Sequence, residues 1–258
     1  MKRNRNRRRS THTQDSVSVG QQQQDSTRLE SAETPGIVGS SAHPTAQQLE
    51  LINRYTSAVL EPLEAHEVIT IPFIAADNLL NRGLGKWAAD DMDAIALLLP
   101  GLPFTLDHDW GDVAKTQGLI YDARVVKSPE APAWAVNRAG NFDQNRRIVA
   151  KEGFIQTVCD VAFPAVSQIV QGLRFGFLGA VSMGGFQYKD HACPICNSSF
   201  EDKHCPHYLP DPMWGLVAES DNNVAPYYIR RGIYDLLELS QVLGPNLPAA
   251  GAIRRHQV

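Results

Sequence analysis

Residues 179 to 186, GAVSMGGF, carry a single serine at the end of an apolar run. Ser182 is followed closely by Gly184 and Gly185, and residue 180 is alanine, so the G-x-S-x-G pattern of a hydrolase elbow is absent. A serine hydroxyl becomes an effective nucleophile only when a neighbouring base removes its proton. Ser182 is therefore either a turn residue or a nucleophile, depending on what the rest of the chain supplies.

The segment TLDHDWGD, residues 105 to 112, contains the histidine best suited to be that base. His108 ends an apolar, strand-like stretch and lies between Asp107 and Asp109. An imidazole takes up and returns protons near neutral pH. Taken alone, the segment favours a surface histidine in an acidic turn, or a divalent-metal cluster with the two aspartates, because short motifs often match by chance.

A third member would have to orient the imidazole and balance its charge. Glu238 lies within the apolar stretch YDLLELSQV, where an acid is costly to bury without a partner. It could equally belong to the polar face of a two-sided strand, and Asp235 and Glu219 are alternative acids. Such triads assemble in space in any chain order, so spacing does not decide between the three.

Residues 191 to 210, HACPICNSSFEDKHCPHYLP, contain a C-x-x-C followed by a C-x-H. Three thiolates and one imidazole at this spacing predict a zinc site, and a full set of four protein ligands predicts a structural role for the metal. His191 and His204 are alternatives to the histidine of this set, and free cysteines in a loop are the less favoured interpretation, since both halves have ligand spacing. The predicted ligands are Cys193, Cys196, Cys205 and His207.

The elements that would carry these residues read mainly as strands. LPFTLDH leads to the histidine, a helix from about residue 164 to 174 leads into LGAVSMGGF, and IYDLLELSQVL is a single strand. Helices do not alternate strictly with strands, as a doubly wound sheet would require. The pattern predicts an α+β fold with mainly antiparallel strands and a few packed helices.

The order LDHDW, then AFP and a helix leading to GAVSMGG, then YDLLELSQV resembles the prohead proteases of tailed bacteriophages over roughly residues 66 to 250. The resemblance implies a barrel-like core similar to herpesvirus assemblin, with His108, Ser182 and Glu238 as the catalytic triad. Gly184 is the residue considered for offering an N–H to the oxyanion. The chain departs from the family in its GPNLPAA ending and in a long insertion between the serine and the acid.

This resemblance implies a serine endopeptidase that matures phage heads in the host cytoplasm, inside the assembling prohead. Capsid and scaffold proteins, and the protease itself, would be its substrates. The alternative is a non-enzymatic virion or scaffold component of the same fold, which uses the zinc loop for docking. Whether the chain forms a homo-oligomer is left open.

Composition limits the other classes of function. Of the 24 Lys and Arg, six lie in the first nine residues, which leaves 18 against 28 Asp and Glu in the body, a balance of −10. An acidic body argues against a broad nucleic-acid surface, apart from weak contacts by the basic tail. No apolar stretch is long enough to cross a membrane.

The same composition divides the chain into three parts. Residues 1 to 44, rich in Arg, Gln and Ser, predict a disordered tail that a self-processing protease would cut. Residues 45 to 65 predict a lead-in helix. Residues 66 to 250 form the predicted protease domain, with the zinc-binding insertion at about 190 to 210.

Overall fold

A computed structural model of the 258-residue chain describes residues 43–56, 61–137, 142–175, 178–200, 205, 207–209, 217–220, 223–225, 227–243, 247 and 250–253. These residues belong to one structural unit, Glu33–Val258. The tail predicted for residues 1 to 44 lies outside the described residues except for its last two. Within the range predicted for the lead-in helix, residues 45 to 65, the structure has the helix α1 (Ala46–Thr56).

Most of the regular secondary structure in the described residues is β-strand. In chain order they are β1 (Val68–Asp77), β2 (Gly85–Trp87), β3 (Pro103–Leu106), β4 (Gly118–Ser128), β5 (Phe154–Pro164), β6 (Val181–Gly184), β7 (Gln187–Ala192), β8 (Tyr208–Leu209), β9 (Val217–Ser220), β10 (Asn223–Ala225), β11 (Tyr228–Asp235), β12 (Glu238–Gln241) and β13 (Gly251–Ala252). The remaining α-helices are α2 (Asp91–Leu98), α3 (Ala133–Asn137), α4 (Phe142–Glu152) and α5 (Gln168–Arg174). Two short 3-10 helices lie at Ala65–Glu67 and Val113–Lys115.

The main sheet has seven strands in the order β13-β1-β5-β4-β3-β12-β6. Its pairs are antiparallel except for β12 and β3, which are parallel. The predicted α+β class with mainly antiparallel strands is therefore confirmed. The predicted barrel is not: among the described residues the sheet stays open, and its two ends are joined by an isolated bridge between Ala180 and Gly251.

One face of this sheet packs on the main hydrophobic core. Because side chains alternate along a strand, Phe104 of β3, Met183 of β6 and Leu239 of β12 all point to this core. Phe104 also packs on Phe73 and Phe163, with ring centroids 5.1 to 5.2 Å away. The residues between these apolar ones necessarily lie on the other face, which leaves that face for polar chemistry.

A bent two-stranded ribbon connects the main sheet to a second sheet of order β2-β11-β7. One of its strands runs from β6 into β7 and the other from β11 into β12. Pairing continues across the bend, since Gly184 lies opposite Glu238 and Gln187 opposite Asp235. The prediction of one continuous strand over IYDLLELSQVL was wrong, because the chain turns from one sheet to the other between Asp235 and Glu238.

The bend in the ribbon depends on a glycine. Gly185 has φ +63°, a left-handed conformation that L side chains rarely adopt. A Cβ at this position would also lie 2.5 Å from Leu237 on the opposite strand. Gly185 therefore provides both the turn and the space that the bend requires.

Candidate active site and metal centre

Three neighbouring strands bring the predicted residues to the polar face of the main sheet. Ser182 lies opposite Ser240, Gly184 opposite Glu238, and Ser240 is in register with Thr105 of β3. Residues directly opposite each other in neighbouring strands project from the same face of a sheet. These five residues therefore form one polar patch, on the side opposite the core.

His108 reaches this patch through a tight turn after β3. The amide of Asp109 donates to the carbonyl of Leu106 at 3.1 Å, and both central residues, Asp107 and His108, have positive φ values of 53° and 59°. These are features of a type I′ turn, and each non-glycine residue in such a conformation costs about 1 to 2 kcal/mol. The turn directs the chain back over the sheet, so surrounding contacts must hold it.

His108 and Glu238 form the central contact of the patch. Nδ1 of His108 lies 2.5 Å from Oε1 of Glu238, whose side chain is completely buried, whereas that of His108 is 35 % exposed. An ionised carboxylate can only accept a hydrogen bond, so Nδ1 carries the proton. The second ring nitrogen, Nε2, is then left as the proton acceptor, which is the tautomer that a general base needs.

Ser182 lies on the same polar face and is partly exposed. A hydrogen bond from its hydroxyl to His108 is not among those that the described residues form. Catalytic hydrogen bonds are often long before substrate binds and tighten in the complex. The structure thus brings the histidine and the acid into contact, and places the serine on the same face of the sheet.

Gly184 has a role that the sequence did not indicate. A Cβ at this residue would lie 2.5 Å from Nδ1 of His108 and in steric overlap with Oε1 of Glu238. Gly184 therefore leaves the space that the histidine and the acid occupy. This need for space is separate from the oxyanion N–H role that the resemblance suggests for Gly184.

The alternative acids lie elsewhere. Asp235 accepts a hydrogen bond from the amide of Leu236 at the bend of the ribbon. Glu219 belongs to β9, in the separate sheet of order β10-β9-β8. Glu238 is in contact with His108, as the resemblance implies.

The geometry also bears on the metal-cluster interpretation of His108 and on the buried thiol of Cys159. In the described part of the chain, sets of three or more metal-ligating groups close enough to share an ion are limited to the cysteine and histidine cluster, so His108 with Asp107 and Asp109 is not such a set. Cys159 is fully buried, and this burial raises the pKa of its thiol. A buried thiol of raised pKa is a poor nucleophile, so Cys159 does not compete with Ser182.

The four predicted metal ligands lie close together beyond the end of β7. One potential ligand atom from each of the four predicted residues lies within 4.8 Å of all the others. The Sγ atoms of Cys196 and Cys205 are 3.6 Å apart, and Nδ1 of His207 lies 3.8 and 3.9 Å from Sγ of Cys193 and of Cys205. Ligands at about 2.0 to 2.3 Å from a tetrahedral ion have nearly these separations.

The surroundings of the cysteines also fit a metal-binding loop. An antiparallel bridge between Ala192 and Ser199 closes the first half of the loop, and the amide of Ile195 lies 3.4 Å from Sγ of Cys193 as a donor. Hydrogen bonds from Ser198 lower the pKa of Cys196 to about 6, whereas burial raises that of Cys193 to about 11. N–H donors toward sulfur are the outer contacts that metal-bound thiolates use. The four residues thus fit a metal ion.

His191, one of the alternative ligands, has another partner. Its Nε2 lies 2.7 Å from the hydroxyl of Tyr188, and its ring packs edge-on against Tyr188 and Tyr228. His204, the other alternative, lies outside the described residues. His207 is the described histidine whose ring nitrogen faces the three cysteines.

Comparison with family models, with curated proteins and with solved structures identified no match. A further finding concerns the helices. Those in the described segments are too short or too polar to span a lipid bilayer.

Proposed function

We propose that this protein is a serine endopeptidase of the prohead-protease type, which cuts capsid and scaffold proteins, and itself, during assembly of a phage head. One observation carries the proposal: His108 contacts Glu238 on the same face of the sheet that presents Ser182. A serine, an imidazole and a buried acid in this relation are the groups that acyl transfer needs.

In the proposed reaction, Oγ of Ser182 attacks the scissile carbonyl carbon and its proton passes to Nε2 of His108. The peptide C–N bond then breaks, and the same proton moves to the leaving amine. Water attacks the resulting ester and gives its proton to His108, which returns it to Ser182 as the acid product leaves. Glu238 holds Nδ1–H throughout and stabilises the imidazolium.

The finer features of the proposal follow the resemblance of LDHDW, GAVSMGG and YDLLELSQV to the prohead proteases. They are an assemblin-like fold for residues 66 to 250, action inside the prohead in the host cytoplasm, and removal of part of residues 1 to 44 on activation. Zinc is the proposed metal, since three thiolates and an imidazole favour it. The role of zinc would be structural, because four protein ligands leave no position open for substrate. It would hold the loop in its folded conformation.

A fluorophosphonate probe tests the proposed chemistry without knowledge of the substrate. We expect Oγ of Ser182 to displace fluoride from phosphorus, and mass spectrometry of the digested protein to locate the adduct on Ser182. The variant His108→Ala should label slower by at least about 10²-fold, because the hydroxyl loses its base. Absence of label on Ser182 in the folded wild-type protein would contradict the proposal.

The variant Gly184→Ala tests the close approach of the histidine and the acid. We expect it to slow labelling by about 10²-fold, because the new methyl group displaces Glu238 or His108 from a position where small shifts matter. Overpacking of this kind also lowers the free energy of unfolding by about 1 to 3 kcal/mol, which urea titration measures.

Gly111→Ala is a matched control for this change. The nearest atom to a Cβ at Gly111 is Oδ1 of Asp109, 3.9 Å away, so the methyl group meets no obstacle. It should label at the wild-type rate. If Gly184→Ala also labelled at that rate, the histidine and the acid would not need the space that Gly184 leaves.

A further inference from the structure

Two buried hydroxyls lie beneath the histidine and the acid, and the proposed reaction does not use them. Thr105 and Ser240 are both completely buried, and their oxygen atoms are 2.9 Å apart. Oγ1 of Thr105 contacts Oε2 of Glu238, and Oγ of Ser240 lies 2.8 Å from the backbone nitrogen of His108. These contacts join the backbone of the histidine to the carboxylate that orients its ring.

The direction of each hydrogen bond in this network follows from the groups involved. The backbone N–H of His108 can only donate, so Oγ of Ser240 accepts from it. The carboxylate of Glu238 can only accept when ionised, so Thr105 donates its single hydroxyl proton there. Ser240 must then donate its hydroxyl proton to Oγ1 of Thr105. Each hydroxyl thus donates one hydrogen bond and accepts one.

The bonds form a closed ring, since His108 returns to Glu238 through Nδ1. The ring joins two strands that come from distant parts of the chain, β3 and β12, and it fixes both oxygens of a fully buried carboxylate. It also holds the backbone of His108, which has a positive φ value. Removal of one hydroxyl would leave both the acid and the turn free to shift.

We propose that Thr105 and Ser240 are positioning residues that hold Glu238 and His108 in the geometry required for proton transfer. Neither touches the substrate, and both act through the histidine and the acid. The inference rests on the proposed peptidase function for its effect on rate, but the ring itself is a property of the folded chain that can be measured separately.

A matched pair of variants at one position isolates the hydroxyl. Thr105→Val keeps the shape of the side chain and removes the hydroxyl, whereas Thr105→Ser keeps the hydroxyl and removes a methyl group. With the fluorophosphonate probe, we expect Thr105→Val to lower the saturating rate of labelling of Ser182 by about 10²-fold with an unchanged half-saturating concentration. Thr105→Ser should retain most of the wild-type rate.

Nuclear magnetic resonance of His108 provides a readout that does not depend on activity. We expect the proton on Nδ1 to give a downfield signal in the wild type and in Thr105→Ser, and to lose it or shift in Thr105→Val. Ser240→Ala, which breaks the ring at its next hydroxyl, should reproduce both effects and serves if the valine variant does not fold.

The outcomes separate the two proposals. If the wild type does not label but the histidine signal responds to the hydroxyl as described, the peptidase function fails and the ring stands. If the wild type labels and Thr105→Val matches Thr105→Ser in both rate and signal, with Ser240→Ala also unchanged, the positioning role is overturned.

Discussion

Replacement of Ser182 by alanine should abolish cleavage of the co-expressed capsid protein, with a loss of rate of about a million-fold. The magnitude follows from the behaviour of serine peptidases, in which loss of the nucleophile costs nearly as much as loss of all three catalytic side chains. His108 and Glu238 keep their contact in this variant, because Ser182 forms none of the hydrogen bonds of that pair. The variant should therefore fold and bind substrate normally. Band patterns of the capsid protein on denaturing gels measure the effect.

A matched serine variant guards against indirect causes. Ser128 lies at the end of β4 and donates to the carbonyl of Glu130, away from the polar patch. Ser128→Ala should cut the capsid protein as the wild type does. Identical uncut bands from the wild type and Ser182→Ala would favour the non-enzymatic alternative, a virion component that uses its metal loop for docking.

Loss of the metal should unfold the cysteine and histidine loop and leave the polar patch intact. The described hydrophobic residues buried in this loop are few, and they form a small cluster of Cys193, Phe200 and Cys205 with Tyr228 beside it. Metal binding contributes about 10 kcal/mol or more in zinc-finger peptides, which far exceeds what such a cluster provides. We expect one zinc ion per chain in the wild type and none in Cys205→Ser, by elemental analysis. Limited proteolysis should then cut the variant between residues 193 and 209.

Cys159→Ala is the control for loss of a thiol, because Cys159 lies in the main core and not in the loop. It should retain the zinc ion. Labelling of Ser182 should continue in Cys205→Ser, since the proposed metal has no part in the chemistry. Immediate loss of labelling on addition of a chelator, without unfolding, would instead give the metal a direct role.

The chemistry-bearing residues were easier to predict than the scaffold between them. The Cys-x-x-Cys and Cys-x-His spacings indicate a shared site because the ligands are close in the chain. The alternation of apolar residues around Phe104 and Leu239 likewise indicates strands with one buried face. These signals lie within short segments, so they can be recognised without knowing which strands or ligands pack against each other in the fold.

Other features depend on partners that are distant in sequence. The turn at Asp107 and His108 contains no glycine, and although Asp and His tolerate positive φ, LDHDW does not single out two successive residues of this kind. The ring through Thr105 and Ser240 requires the parallel pairing of β12 with β3, which spacing does not reveal. Polar composition also concealed α4, whose sequence FDQNRRIVAKE has few apolar residues to set a period.

The ribbon explains how so long an excursion can separate the serine from the acid. Ala192 at the end of β7 is paired with Ile229 of β11, so the inserted segment starts and ends at the same end of the ribbon. Because the ends are already paired, doubling such an appendage adds only about 0.6 kcal/mol of closure entropy. The segment between β7 and β11 could therefore be replaced by a different domain without a change in the distance between Ser182 and Glu238.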